Sequence, residues 1–135
     1  MKKVLYSFTL LLVISINGFS QEKESLRKSC KQLLELNNSA AIFTRLIEDN
    51  IHNIKDYNQV EFRRNATELA TKKKEEAILF FSSIYSVEDM QEIQQECSEG
   101  IREVQSKKAQ DFIEKWRFLK KQFHSDFKKL YVSYQ

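Results

Sequence analysis

Residues 101–135 read IREVQSKKAQDFIEKWRFLKKQFHSDFKKLYVSYQ, and this stretch decides the fold. Ile101, Val104, Ala109, Phe112, Trp116, Leu119, Phe123, Phe127, Leu130 and Tyr134 form an apolar seam close to the coiled-coil period. A helix from about Ile101 to Tyr131 would be roughly 45 Å long, more than the roughly 30 Å diameter of a small domain. It therefore needs a partner of comparable length. Phe62, Ala66, Leu69, Ala77, Phe80, Phe81 and Ile84 supply one between Gln59 and Tyr85, roughly 40 Å long. Lys73 interrupts that stripe within the basic run Lys72–Lys74, which reads as a solvated turn whose stems lie along apolar surface rather than as an anion site.

Shorter stripes precede these two. Leu26, Cys30, Leu33 and Leu34 predict a first helix ending near Asn37 and Asn38. Ile42, Phe43, Leu46, Ile47, Ile51 and Ile54 predict a second, entered through Ser39 and closed near Tyr57. Asn58 with Glu61 has the spacing of a capping box, in which each side chain accepts a free backbone N–H of the other, and Tyr57 with Phe62 that of a hydrophobic staple. Ser86 with Asp89 and Tyr85 with Met90 repeat both devices and open a short helix over Val87–Cys97. The expected fold is all-α: an elongated antiparallel bundle of four to five helices, two of them long, with the first two covering the long hairpin and the short one at its turn.

Composition points the same way. The 135 residues contain no proline and two glycines, and both strand-turn folds and phosphate-cradling loops depend on glycine for positive φ and close backbone approach. Gly-rich nucleotide sites are excluded.

The N-terminus carries an address. Lys2 and Lys3, an apolar run from Val4 to Ile16, and Gly18-Phe19-Ser20 before Gln21 have the order of a secretory signal peptide. Residues 1–20 are thus expected to be removed after Ser20, leaving one domain over 21–135. An uncleaved anchor would need about 20 apolar residues, and Ser7, Ser15 and Asn17 shorten the run. A Met-Lys-Lys start looks bacterial, so the product is expected in the periplasm or secreted. Loss of Lys2 and Lys3 leaves 20 bases against 19 acids, a net of +1 where the whole chain carries +3. A near-neutral chain has no global electrostatic case for nucleic acid. Its charge is uneven, with 11 bases and 15 acids over 21–100 but 9 bases and 4 acids over 101–135.

Candidate chemistry is sparse. Cys30 and Cys97 make an even count in an oxidising compartment, and a disulfide between them would close 67 residues and stabilise the fold by roughly 4 kcal/mol. Cys30 equally suits its apolar stripe as a small hydrophobe. Those cysteines with His52 and His124 lack the close ligand pairs of a zinc site. No Gly-x-Ser-x-Gly turn or His-Glu-x-x-His helix is present, and adjacent acids such as Glu48 and Asp49 diverge by about 100° on a helix. No catalytic residue, cofactor or metal is therefore assigned. Asn37-Asn38-Ser39 and Asn65-Ala66-Thr67 match the glycosylation sequon.

Trp116, Phe118, Tyr131 and Tyr134, in the basic C-terminal helix, are the candidate partner surface. Three readings follow. The first is a non-catalytic module that binds a protein partner or a second copy of itself. The second is an enzyme or metal-dependent factor built from scattered carboxylates with His52 and His124. The third is membrane-surface association through the C-terminal rings among Lys115, Lys120, Lys121, Lys128 and Lys129.

Ile84-Tyr85-Ser86-Val87-Glu88-Asp89-Met90, then Cys97-Ser98-Glu99-Gly100-Ile101-Arg102, with Leu33-Leu34-Glu35-Leu36 soon after the leader, resembles the bacterial exported helical proteins grouped as domain of unknown function 2059. The chain departs from that pattern where an aromatic pair and a serine read Gln95-Glu96 and Cys97. The resemblance implies an all-helical periplasmic domain and supplies no catalytic residues.

Overall fold

The computed structural model describes residues 2–35, 41–98 and 104–135, and in the first segment the side chains of residue 18 and of residues 20–35. The predicted boundary at Asn37, Asn38 and Ser39, the first sequon, and the segment Glu99–Arg102 lie outside the described residues. Five helices and no strands are present among those described: α1 (Lys2–Glu35), α2 (Ala41–Ile51), α3 (Asp56–Ile84), α4 (Val87–Ser98) and α5 (Lys107–Val132). The all-helical bundle stands, but α1, expected as a short helix around Leu26–Leu34, is the longest of the five because it runs unbroken back to Lys2 through the apolar leader, so three helices and not two are long.

The long pair α3 and α5 run antiparallel, as their aromatic contacts trace. Phe62 meets Phe127, Tyr131 and Tyr134 at one end, while Phe81 meets Phe112 and Trp116 and Tyr85 meets Phe112 at the other. The buried residues of α5, Ala109, Phe112, Trp116, Phe123 and Phe127, are members of the predicted seam. From α2, Phe43 reaches into that seam and sits edge-on to Phe123 at 4.2 Å and to Trp116 at 5.9 Å. α1 packs on α3 and α4, and α4 also on α5, so the short helix is a full member of the bundle and not a cap on its turn.

Lys73 is not in a solvated turn. α3 runs straight through it, and its ammonium bridges Asp126 of α5 at 3.0 Å and Glu76 at 3.1 Å, which raises the lysine pKa and lowers that of Asp126. A cation inside an apolar stripe is thus matched by an acid on the facing helix.

Helix ends follow partly local and partly distant partners. The Ser86–Asp89 box is made in both directions: Asp89 N–H donates to Ser86 Oγ at 3.1 Å and Ser86 N–H to Asp89 Oδ2 at 3.0 Å. The Asn58–Glu61 box is not made. α3 begins at Asp56, Lys55 occupies the N-cap without a side-chain cap, and Tyr57 is 76% exposed, so no staple forms. The cause lies just upstream. α2 stops at Ile51, and a turn with hydrogen bonds from Asn53 N–H to Asn50 O and from Ile54 N–H to Ile51 O buries Ile54. The Gln59 amide then donates to Ile54 O at 3.0 Å and to Asp56 Oδ1 at 3.2 Å, fixing an earlier start.

α5 begins at Lys107 instead of Ile101, since Ser106 Oγ caps it by accepting Ala109 N–H at 3.1 Å. The carboxylate of Glu96 on α4 accepts the N–H groups of Gln105 and Ser106, at 3.3 and 3.0 Å, and the Ser106 side chain first, then these N–H groups, hold its carboxyl below the usual range. A box normally closed within one turn is closed here across ten residues.

Candidate functional site: an exposed aromatic seam between α3 and α5

The four rings expected to face a partner differ in exposure. Phe118 is 61% exposed on α5, whereas Trp116 is only 5% exposed within the core. Tyr131 is half-buried against Phe62 and Phe127, and half-buried Tyr134 accepts a 2.5 Å hydrogen bond from the Asn65 amide. The seam period explains the split: Trp116 stands at its heptad position between Phe112 and Phe123, and Phe118 two residues on points about 200° away. Asn65 is therefore a helix-to-tail tie, and the sequon at Asn65-Ala66-Thr67 lies within α3 with Ala66 wholly buried.

Phe118 has company that the sequence placed elsewhere. Phe80 and Ile84, read as core members of α3, are 39% and 43% exposed, while Ala70 and Ile78 are buried in the core. The buried row of α3, Phe62, Ala66, Ala70, Ala77, Ile78 and Phe81, lies in a core that α3 shares with α1, α2 and α5 and leaves Phe80 and Ile84 one turn apart on an outer face. Phe80, Phe118 and Leu119 wall a groove of about 310 Å³ with Asp111, Glu114 and Lys115 at its rim. The Tyr85 hydroxyl donates to Asp111 Oδ2 at 2.6 Å, and Lys115 pairs with Asp111. Lys115 first, then Tyr85, holds the Asp111 carboxyl below its ordinary value; burial, reinforced by Asp111, pushes the Tyr85 phenol well above its own. The rim acid is thus held by its neighbours, beside exposed phenyl rings.

Remaining candidates are dispersed. His52 is exposed in the turn after α2 and His124 on α5. Among the described residues no group of three or more His, Cys, Asp or Glu side chains is placed to hold a metal ion. Lys108 joins Asp89 at 2.5 Å and Glu92 at 2.9 Å, which commits both acids to the α4–α5 contact. Cys30 on α1 and Cys97 on α4 are both buried and are not joined to each other. Burial pushes the Cys30 thiol up to about 11, against smaller opposing effects of Ser82 and Arg27, and raises that of Cys97 with help from Glu96.

No family model, curated protein or solved structure matches this chain.

Proposed function

We propose that the chain is an exported bacterial protein, cut after Ser20, whose residues 21–135 form a non-catalytic helical module that binds a protein partner or a second copy of itself in the cell envelope. The observation that carries the binding reading is the groove flanked by Phe80 and Phe118, where solvated phenyl rings on two adjacent helices form one apolar strip. Export draws support from the other end. Gly18 and residues 20–25 are all exposed, and among the residues with described side chains packing against the bundle begins at Leu26. The bond after Ser20 is thus clear of the core, although it lies within α1 and would have to unwind to be cut. Among residues with described side chains, no helix is long and apolar enough to cross a membrane.

The kinship with domain of unknown function 2059 stays part of this proposal, resting on the Tyr85–Met90 helix start and on Leu33-Leu34-Glu35. For the membrane-surface reading Trp116 is buried and Tyr131 and Tyr134 are half-buried, and of the carboxylates open to an enzyme reading Asp89, Asp111 and Asp126 are engaged in ion pairs between or along helices. In an oxidising envelope Cys30 and Cys97 would have the opportunity to bond across the α1–α4 contact, a loss of two hydrogens that mass measurement with and without reductant would detect.

Expression of the full chain in a bacterial host, with fractionation and N-terminal sequencing, tests export: the envelope product should begin at Gln21, and a cytoplasmic product retaining Met1 would overturn it. Light scattering of that product over rising concentration, beside Phe118→Asp, tests binding. A module that stays monomeric at every concentration and crosslinks to nothing in its own envelope refutes the binding reading.

A further inference from the structure

A second cavity, of about 320 Å³, lies between α1 and α3 with Trp116 of α5 among its walls. Its apolar lining is Leu34, Ile78 and the indole; Lys31 and Glu35 border it from α1, and Thr71, Lys74 and Glu75 from α3. Two features make it more than a packing defect. First, Glu75 is already held by Arg27 at 2.7 Å, whereas no ion pair within 4.0 Å engages Lys31 or Lys74 among the described residues. The border thus offers two ammonium groups without an ion pair against the one carboxylate of Glu35. Second, a cavity of this size with an apolar floor and a few convergent charged groups has the make-up of a small-molecule site.

We propose that this cavity binds a small amphipathic carboxylate, its apolar part on Leu34, Ile78 and the ring of Trp116, and its charge opposite Lys31 and Lys74. The two lysines select the sign of the ligand, and the apolar walls select against small hydrophilic anions. The reading is independent of the Phe80–Phe118 groove, which opens elsewhere on the α3–α5 pair.

Trp116 is the only tryptophan of the chain, so its emission reports the site directly. The full chain is titrated with octanoate, octanol and octylamine below their micellar concentrations. Octanoate should change Trp116 emission saturably and bind about tenfold more tightly than octanol, with octylamine weakest. Lys31→Gln/Lys74→Gln, at surface positions whose loss should leave the helical signal and melting midpoint unchanged, should weaken octanoate by about fivefold and leave octanol alone. Glu35→Gln, which removes the opposing carboxylate, should tighten octanoate. Equal binding of octanol and octanoate would make the cavity a mere apolar hole and overturn the proposal. So would tighter binding of octylamine, an unaltered octanoate affinity in the double lysine variant, weaker octanoate binding in Glu35→Gln, or no saturable response at all.

Discussion

Phe43→Ala should be among the most damaging single changes in the molecule. Phe43 is 1% exposed and is the point where α2 enters the seam of α5, edge-on to Phe123 and Trp116. Truncating a buried phenylalanine costs about 3–5 kcal/mol through lost transfer and the cavity left behind, and the two ring contacts account for about 0.5–1.5 kcal/mol each of it. α2 has only Ile47 and Ile51 as further buried anchors, so a collapse that fills the hole would also pull this helix off α3. Against a total stability of about 5–15 kcal/mol, and with about 4 °C lost per kcal/mol for a domain of this size, the midpoint should fall by about 12–20 °C. Phe43→Leu keeps most of the volume and loses the ring edges, so about 1–2 kcal/mol is expected. Thermal unfolding followed by circular dichroism gives the midpoints, and Trp116 emission, reporting on a ring 5.9 Å away, should alter in both variants before unfolding begins. A loss below about 1.5 kcal/mol for Phe43→Ala would refute the claim that α2 is held by this ring.

Trp116→Phe and Phe118→Ala should separate folding from binding. The first removes part of a buried indole and should lower the melting midpoint, whereas the second should leave stability within about 0.5 kcal/mol while abolishing any self-association seen by light scattering. Ser106→Ala, which leaves Ala109 N–H without its cap, should cost about 1 kcal/mol in urea unfolding, and Glu96→Gln should destabilise less and in a salt-dependent way, because a neutral amide still accepts from Gln105 and Ser106. The pH dependence has a determined sign. Asp89, Asp111, Asp126 and Glu96 are held below their ordinary values, first by Lys108, Lys115, Lys73 and Ser106 respectively, so their stabilisation is present above the unfolded-state pKa of about 4 and is lost as pH falls through the folded values. Lys73, Lys108 and Tyr85 are raised, so theirs is complete below the unfolded pKa of about 10 and lost at higher pH. Melting midpoints should therefore be flat from about pH 5 to pH 9 and fall on both sides; a maximum below pH 4 would contradict these pairings.

The seam of α5 was legible because its period is long, regular and filled by large rings, and one face of a 26-residue helix has nowhere to go but inward. Helix ends were legible only where the capping partner is local. Ser86 and Asp89 stand three apart and cap each other, but the start of α5 depends on Glu96 reaching over from α4, a pairing without a spacing rule. Ile54 shows the complementary failure. Its apolar side chain continues the stripe of α2 by count, yet it is buried from a turn, since burial reports which side a residue faces and not whether the backbone beneath it is helical. On α3 the stripe reads with Phe80 and Ile84 inside, but the buried row runs through Ala66, Ala70, Ala77 and Ile78 and leaves those two outward.

That displacement is what makes the candidate surface. A phenylalanine off the seam, as Phe118 is, is visible in sequence, but a single exposed ring is ordinary on a protein surface. It becomes a groove because α3 presents Phe80 beside it. Trp116, buried in the seam of α5, lends its ring to the wall of the second cavity, between α1 and α3. Both candidate sites of this molecule are therefore bordered by α3. Enlarging Ala70, which is buried in α3, to Leu should overpack the core beneath this helix and disturb both at once: octanoate binding and self-association should weaken together, although Ala70 is not among the residues lining either cavity. Loss of one with the other intact would show that the two surfaces are set by different contacts.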